Sequence, residues 1–132
     1  MLETAKFASL LQKFHSHGPV ALPAHEALEM LTGQGAQAFH LDCGLIAEGK
    51  WADIAWVDWH HPQLAPHFHA ESDLIYSANG SCIDTLICDG KVLMESRRVK
   101  GEEEIVAKAR EVAYDLVRRA SGSSPWLALP VN

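Results

Sequence analysis

The chain has 132 residues, which is enough for one domain with a modest hydrophobic core. Apolar residues make up 48% and charged residues 21%, and the formal net charge of −6 argues against nucleic acid or an anionic membrane as a partner. No apolar run is long enough to cross a bilayer, and the N-terminus carries Glu3 and Lys6 where a signal peptide needs an unbroken apolar stretch.

Helices are predicted over the first third of the chain. Residues 2–14 form a helix whose apolar stripe, at spacings i, i+3, i+4 and i+7, consists of Phe7, Leu10, Leu11 and Phe14. Gly18 and Pro19 mark a loop, and Pro23 opens a second helix with the stripe Ala24, Ala27, Leu28 and Leu31. Residues 32–35, with two glycines, interrupt this helix, and residues 36–39 add a short turn.

Strands are predicted from residue 42 onward. After the turn signal Glu48-Gly49, residues 53–59 are apolar on both faces, which predicts a central strand. Residues 60–71 form a proline-punctuated loop, and residues 72–77 form a short helix capped by Ser72. Residues 83–88 and 91–95, separated by Asp89-Gly90, predict a β-hairpin.

A long terminal helix is predicted over residues 102–120. Three glutamates lie at its start and Arg118 and Arg119 at its end, as the helix dipole favours. The tail contains the apolar sequence WLALPV, which we expect to dock on another surface. The three predicted strands are too few to close a β-sandwich alone.

The sequence HHPQLAPHFH, residues 60–69, is the most concentrated candidate for a metal site. In an extended backbone His67 and His69 point the same way and can reach one ion. A catalytic zinc site needs at least three protein ligands. The nearest further candidates are His60, His61, Glu71 and Asp73. The flanking prolines do not preset a tetrahedral geometry, so a histidine-rich loop without a metal is the alternative interpretation.

The other reactive residues do not form an active site by sequence alone. His15 and His17 form a second histidine pair in a glycine-proline loop, and His25 and His40 are isolated. Three cysteines without CxxC spacing predict reduced thiols and a cytoplasmic protein; they are Cys43, Cys82 and Cys88. We expect Cys88 to face the core, and no base can be placed beside a cysteine. Turn capping and catalysis both stay open for the strand-end carboxylates Asp53, Asp58 and Asp84.

Three stretches of the chain resemble a known protein family. They are LPAHEALEMLTGQGAQAF, LDCGLIAEGKWADIAWVD and DLIYSANGSCIDTLICDGKVLME. The specific signatures are L-x-x-G-x-I-x-x-G-K-x-A-D-I, at residues 41–54, and YSANGS, at residues 76–81, followed by a strand and D-G-K-V. From Met1 to about Leu116, the chain resembles the C-terminal third of the amidohydrolase superfamily. The closest branch contains cytosine deaminases, chlorohydrolases and methylthioadenosine/S-adenosylhomocysteine deaminases.

The resemblance implies an α+β fragment of a larger fold. In the family, a (β/α)8 barrel carries a small β-sandwich built from strands at both ends of the polypeptide. Residues 1–41 would be barrel-closing helices, residues 42–101 the C-terminal strands of a partial β-sandwich, and residues 102–132 the terminal helix and tail. On this interpretation the strands are few because their N-terminal partners are missing.

The resemblance also implies that the catalytic residues lie outside this chain. In the family, zinc or iron is held by a His-x-His pair, two later histidines and an aspartate, and a glutamate is the general acid and base. The ion lowers the pKa of a bound water, which attacks the carbon bearing the leaving amine or halide. All these residues precede the position of Met1, so no catalytic, cofactor-binding or metal-ligating residue is assigned. The chain departs from the family at His67 and His69, commonly leucine and aspartate, and at His40 and Cys82, commonly glycine and aspartate.

We therefore expect the C-terminal part of a metal-dependent deaminase or chlorohydrolase that is inactive as this isolated chain. Apolar faces that we expect to be exposed predict self-association or binding to a missing barrel portion; they carry Phe7, Leu10, Leu11, Ile54 and Trp56. Two alternatives stay open. The chain is an interaction module that complements a separately encoded barrel, or it is a small independent metalloprotein that uses His60, His61, His67 and His69.

Overall fold

The computed structural model describes residues 1–121, and the expected docking of the WLALPV tail lies outside these residues. The chain divides into two compact units, the first covering Met1–Arg98 and the second beginning at Val99. Within residues 1–121, no helix is long and apolar enough to cross a membrane. The segment boundaries predicted after residues 41 and 101 stay predictions.

Three helices begin the first unit: α1 over Leu2–Ser16, α2 over Ala24–Leu31 and α3 over Gly33–Ala38. The predicted start of α2 is confirmed, because the helix begins directly after Pro23, whose carbonyl accepts the N–H of Ala27 at 3.1 Å. The expectation that residues 32–35 all interrupt the helix is wrong. Only Thr32 leaves the helical conformation, with φ −117° and ψ −98°, and the two glycines lie inside α3.

Small residues form the face of α1 that packs in the protein interior. Ala5 and Ser9 are buried there. The first core cluster consists of Ala5, Ala24, Ala27 and Ile75. The apolar stripe predicted from periodicity lies on the outside of α1, where Phe7 is 61% and Phe14 is 79% exposed. Short side chains let helix backbones approach closely, so the interior face of α1 is not its most apolar face.

Four strands, β1 at Ile54–Val57, β2 at Ile83–Cys88, β3 at Lys91–Glu95 and β4 at Arg98–Val99, form one sheet in this order. The predicted hairpin is confirmed. Strands β2 and β3 are antiparallel, and Asp89 and Gly90 have φ angles of 48° and 71°, as a type I′ turn requires.

The prediction of a central strand at residues 53–59 is wrong. Among the described strands β1 pairs only with β2, in antiparallel register, and so lies at the edge of the sheet. Trp56 is 69% exposed in this edge strand. Apolar residues on both faces of a strand therefore do not show whether it lies at the centre or at the edge of a sheet.

A short helix lies between β1 and β2. It comprises α4 at Ala70–Ser72 and a π-helical turn at Asp73–Ser77, which confirms the predicted helix and extends it by two residues. Ser72 lies inside this helix, so its predicted capping role is wrong; the cap position is occupied by His69. Residues that flank the helix in sequence form the second core cluster, which consists of Leu64, Ala78 and Cys82.

A hydrogen-bond network ties α1 to the loop that follows it and to the π-helical turn. Ser9 Oγ donates to the carbonyl of Leu22 at 2.7 Å and lies 2.8 Å from the hydroxyl of Tyr76. Lys13 Nζ donates to Ser9 Oγ at 3.0 Å and to the carbonyls of Ala21 and Leu22 at 2.6 and 2.8 Å. Burial raises the pKa of Tyr76, but its hydrogen bonds with Ser9 and Lys13 and the lysine charge outweigh burial and lower the pKa.

The second unit contains α5 at Glu102–Ser121, which confirms the predicted terminal helix. Three glutamates occupy its first turn, and Arg118 and Arg119 occupy its last turn, as the helix dipole favours. The Asp115 carboxylate pairs with both arginines, at 2.7 Å to Arg118 and 3.0 Å to Arg119. These spacings of three and four residues place the charges on one face of the helix.

An ion pair joins the end of β1 to the turn between β3 and β4. Arg97 Nη1 donates to Asp58 Oδ2 at 3.0 Å, and Asp58 Oδ1 accepts the backbone N–H of His60 at 3.0 Å. The hydrogen bond from Arg97 is the main cause that lowers the pKa of Asp58, while partial burial acts in the opposite direction. Arg97 is fixed in turn, because its backbone N–H donates to the carbonyl of Asp84 at 2.8 Å.

Replacing Gly44 by alanine should destabilise the first unit. Gly44 has a φ of +82°, and an added Cβ would lie 2.6 Å from the carbonyl oxygen of Thr32 and 3.0 Å from the Cβ of Ala36. The strained backbone and the clash together should lower the free energy of unfolding by about 2 kcal/mol or more, measured by urea unfolding.

Gly49→Ala is the matched control for this variant. Gly49 has a φ of +81°, but no heavy atom lies within 4 Å of its added Cβ. It therefore introduces the backbone strain without the clash, and its loss of unfolding free energy should be clearly smaller. Equal losses in the two variants would contradict the close approach of Gly44 to Thr32.

Asp58→Asn should remove stability that depends on pH. A carboxyl group with a lowered folded-state pKa stabilises the fold above its unfolded pKa, about 3.9, and the effect is lost as pH falls through the folded pKa. The melting temperature of the parent chain should exceed that of Asp58→Asn near neutral pH, and the difference should close as the pH falls below 3.8. Arg97→Gln should lose most of this pH-dependent part, since it removes the largest cause of the lowered pKa but leaves the hydrogen bond from the backbone of His60. A difference that is unchanged at low pH would contradict the ion pair.

Candidate functional site

A strap of residues 58–69 carries the histidine-rich sequence between β1 and α4. Its middle is anchored by Leu64, which is 2% exposed. His61 Nδ1 accepts the backbone N–H of Gln63 at 3.3 Å, and His61 Nε2 lies 3.4 Å from Ser81 Oγ. These contacts fix the middle of the strap to the segment that precedes β2.

The end of the strap is fastened by His67. Its Nδ1 lies 2.7 Å from Asp73 Oδ2, and its ring centroid lies 4.6 Å from that of Trp59. The same carboxylate oxygen accepts the backbone N–H groups of Phe68 and His69 at 3.2 Å each. Burial raises the pKa of Asp73. The hydrogen bonds from His67 and the two backbone N–H groups lower the pKa by more than burial raises it, so the net pKa is below its usual value.

Among the described residues, His60, His61, His67 and His69 are not gathered into a group of three or more metal ligands. His69 Nδ1 lies 3.3 Å from Ser72 Oγ, and the backbone of His60 donates to Asp58, so each histidine has contacts of its own. Within residues 1–121, no three His, Cys, Asp or Glu side chains are grouped so that they could hold a metal ion. In the other histidine pair, His15 lies in the last turn of α1, and His17 follows the helix as its C-cap with a left-handed φ of 50°.

The structure places a base beside one cysteine, which sequence reasoning did not find. Cys82 Sγ lies 3.5 Å from His61 Nδ1, but Cys82 is 0% exposed, so its thiol is closed off from solvent. The expectation that Cys88 faces the core is wrong, because it shares the exposed face of β2 with Leu86. The carboxylate of Asp53 is the main cause that raises the pKa of Cys88, so this thiol stays protonated and is a weak nucleophile.

The strand-end carboxylates have structural partners. Asp53 Oδ1 accepts the backbone N–H of Asp89 at 2.7 Å and so caps the hairpin turn. Asp84 Oδ2 accepts the hydroxyl of Thr85 at 2.9 Å, and Asp58 pairs with Arg97 as described above. The backbone contacts favour turn capping over catalysis for Asp53 and for Asp58, whose Oδ1 accepts the N–H of His60, while the contact of Asp84 with Thr85 favours neither interpretation.

An apolar cavity of about 650 Å³ lies between the helices and the sheet of the first unit. Its apolar lining includes Leu2, Leu28, Leu31, Ile54, Val57 and Ile83. Ile54 is half-buried and lines this cavity, which corrects the expectation that it would be exposed. The lining contains the carboxylates of Glu3 and Asp53 but no histidine or cysteine of the described residues. The cavity borders the strand β1, whose outer edge has no partner among the described strands. This surface suits apolar contacts better than acid–base chemistry.

Comparison with known proteins identifies relatives along most of the sequence. Residues 1–93, more than half of the chain, match the Amidohydrolase family. The 5′-deoxyadenosine deaminase of Methanospirillum hungatei is 48% identical over 120 residues, which are 91% of this chain and 27% of that protein. The 5-methylthioadenosine/S-adenosylhomocysteine deaminase 1 of Archaeoglobus fulgidus is 43% identical over 127 residues, which are 94% of this chain and 29% of that protein. The chain thus spans less than a third of the length of these curated relatives.

Solved structures share the same arrangement of elements. An adenosine deaminase from Xanthomonas campestris with bound zinc has a TM-score of 0.78 and 30% identity, over 84% of this chain and 26% of that chain. The atrazine chlorohydrolase of Arthrobacter aurescens TC1, complexed with zinc, has a TM-score of 0.76 and 25% identity, over 84% of this chain and 26% of that chain.

The resemblance predicted from the signature stretches is confirmed. The matched residues 1–93 include the first two stretches and nearly all of the third. The superposition covers 84% of this chain and 26% of each of these longer proteins. This chain belongs to the amidohydrolase family.

Proposed function

We propose that this chain is the C-terminal part of a metal-dependent amidohydrolase and that it has no hydrolytic activity as an isolated chain. The observation that carries the proposal is the unequal coverage: 91% of this chain matches only 27% of a relative that is 48% identical. By the family resemblance, the metal ligands and the general acid/base belong to parts of the family fold other than the one that this chain resembles. On this proposal α1, α2 and α3 close a (β/α)8 barrel, and the four strands belong to a β-sandwich.

The substrate class proposed for the complete enzyme is an adenosine-type nucleoside, which loses its amine by hydrolysis. Two relatives that are 48% and 43% identical are named as deaminases of 5′-deoxyadenosine and of 5-methylthioadenosine/S-adenosylhomocysteine. A solved adenosine deaminase is 30% identical, against 25% for the chlorohydrolase. These identities favour amine removal over halide removal.

The described residues do not supply a set of ligands for a catalytic zinc ion. Both solved relatives above contain zinc. Catalytic zinc takes three protein ligands and keeps one position for water, whereas residues 1–121 contain no group of three suitable side chains. No reaction step through the metal is therefore assigned to these residues.

The role proposed for the chain is to supply an apolar surface to the rest of the enzyme. Phe7, Leu10 and Leu11 on α1 are 61%, 46% and 63% exposed. On the sheet, Trp56 is exposed and the apolar cavity borders the free edge of β1. Exposed apolar patches of this kind bind a partner surface or drive association. Self-association of the isolated chain is accordingly the second candidate function.

A chimera tests the first proposal. The 120 matching residues of the Methanospirillum hungatei deaminase are replaced by the corresponding residues of this chain. The chimera should release ammonia from 5′-deoxyadenosine, because this chain supplies the missing surface, while the isolated chain should release none. The deaminase without these residues is the negative control. Ammonia release by the isolated chain, or a folded and zinc-loaded chimera without activity, would contradict the proposal.

Self-association is tested with a charge placed on α1. The isolated chain should form a dimer or larger species in light scattering, and Leu11→Asp should shift it towards a monomer by burying a charge in the contact. Gln12→Asp is the matched control, since residue 12 is exposed on the same helix but outside the stripe. A monodisperse monomer for the parent chain, or equal effects of the two variants, would count against association through this face.

A further inference from the structure

Helix α5 carries an apolar stripe along one face. Its members follow one another at spacings of four, three and four residues; they are Ile105, Ala109, Val112 and Leu116. These spacings place the four side chains on one side of an α-helix, as in the contact face of a coiled coil. Ile105 is 62% exposed, and Val112 and Leu116 are 59% exposed each. Among the described side chains of α5 none is buried, so the stripe exposes apolar surface to water.

Charged residues lie at both ends of the stripe and along one of its flanks. Glu102 lies three residues before the first member of the stripe, and Arg119 lies three residues after the last member. Each of them therefore extends the stripe by about one turn of the helix. Lys108 and Asp115 are seven residues apart and lie on the same flank of the stripe. One end of the stripe is thus acidic and the other end is basic.

We propose that α5 pairs with α5 of a second copy of this chain, in antiparallel orientation and with the two stripes in contact. When Ala109 lies opposite Val112 of the second copy, equal steps outward along the two helices keep the apolar residues aligned. Ile105 then lies opposite Leu116 of the second copy. The pair is symmetric, so each of these contacts occurs twice.

The charges favour the antiparallel orientation. In this register Glu102 lies opposite Arg119 of the second copy, and Lys108 lies beside Asp115 of the second copy. In a parallel pair, Glu102 would instead face Glu102 and Arg119 would face Arg119, so like charges would repel each other. Exposed ion pairs add little affinity by themselves, so the stripe supplies most of the attraction and the charges determine the direction.

This surface is separate from the sites described above. It belongs to the second unit, whereas the stripe of Phe7, Leu10 and Leu11 belongs to α1 in the first unit. It contains no residue that the proposed deaminase activity uses, so the pairing goes beyond the proposed function and does not rest on it. A stripe of four apolar residues is short, and the pairing should therefore be weak and should depend on concentration.

Mixing two charge-reversed chains tests the pairing and its direction. Every chain has all 132 residues and carries Leu11→Asp, so that association through α1 does not contribute. Glu102→Arg and Arg119→Glu each place like charges opposite one another in their own pairs, and each should weaken self-association by about 10-fold in sedimentation equilibrium. An equimolar mixture should regain the dissociation constant of the chain without charge reversal, because opposite charges then meet between the two variants. Mixing leaves the local structure of each chain unchanged, so a purely structural role would give no recovery.

A charge placed within the stripe provides a second test. Val112→Asp should weaken the pairing by about 100-fold or more, because it buries a carboxylate in the contact. Ala107→Asp is the matched control, since Ala107 is exposed on the opposite face of α5 and its replacement should leave the dissociation constant unchanged. Far-UV circular dichroism checks that the helix content is kept in each variant.

Three results would overturn the proposal. The first is a Leu11→Asp chain that is still monomeric at about 1 mM. The second is a mixture of Glu102→Arg and Arg119→Glu that associates no more tightly than either variant alone. The third is an equal effect of Val112→Asp and Ala107→Asp, which would show that a surface other than the stripe of α5 joins the copies.

Discussion

The ammonium group of Lys13 joins α1 to the loop that follows it and, through Ser9, to Tyr76 of the π-helical turn. It donates to Ser9 and to the carbonyls of Ala21 and Leu22, so the loop after α1 returns to that helix just before α2 begins. Leu22 has a φ of 44°, a left-handed conformation that costs a non-glycine residue about 1 kcal/mol or more. The hydrogen bonds that its carbonyl accepts offset this cost. Because Ser9 also contacts Tyr76, the same network positions the helix that holds the strap.

Local signals in the sequence predict each helix or strand better than they predict which elements pack beside it. Asp89-Gly90 specifies a type I′ turn through its own backbone preferences, and the hairpin forms at the predicted residues. Helix α5 is predicted equally well, because its charges act within the helix. The position of β1 is not predicted, since its pattern reports how apolar each face is but not which strand lies beside it. The stripe with Phe7 is exposed as expected, but no periodic signal identified the small residues Ala5 and Ser9 that form the interior face of α1.

The composition of the strap indicated where the candidate site lies, but its contacts depend on the tertiary fold. The base beside Cys82 is 21 residues away in sequence, and Ser9 and Tyr76 are 67 residues apart, so no spacing rule relates these pairs. The contact between His67 and Asp73 spans only six residues. A helix predicted to begin at residue 70 would have revealed it, because side chains near a helix start reach back to the N–H groups before the helix.

The buried apolar side chains of the first unit are mostly alanines, and Leu64 and Ile75 are the large exceptions. Burial stabilises a fold by roughly 25 cal/mol for each Å² of apolar surface removed from water, so an alanine core contributes little. Meanwhile Phe7, Leu11 and Trp56 expose most of their apolar surface. Much of the area that could stabilise a chain of this length thus lies where a partner would cover it. Since a partner that binds only the folded state raises its stability by mass action, the stability of this chain should depend on its own concentration or on that of its partner.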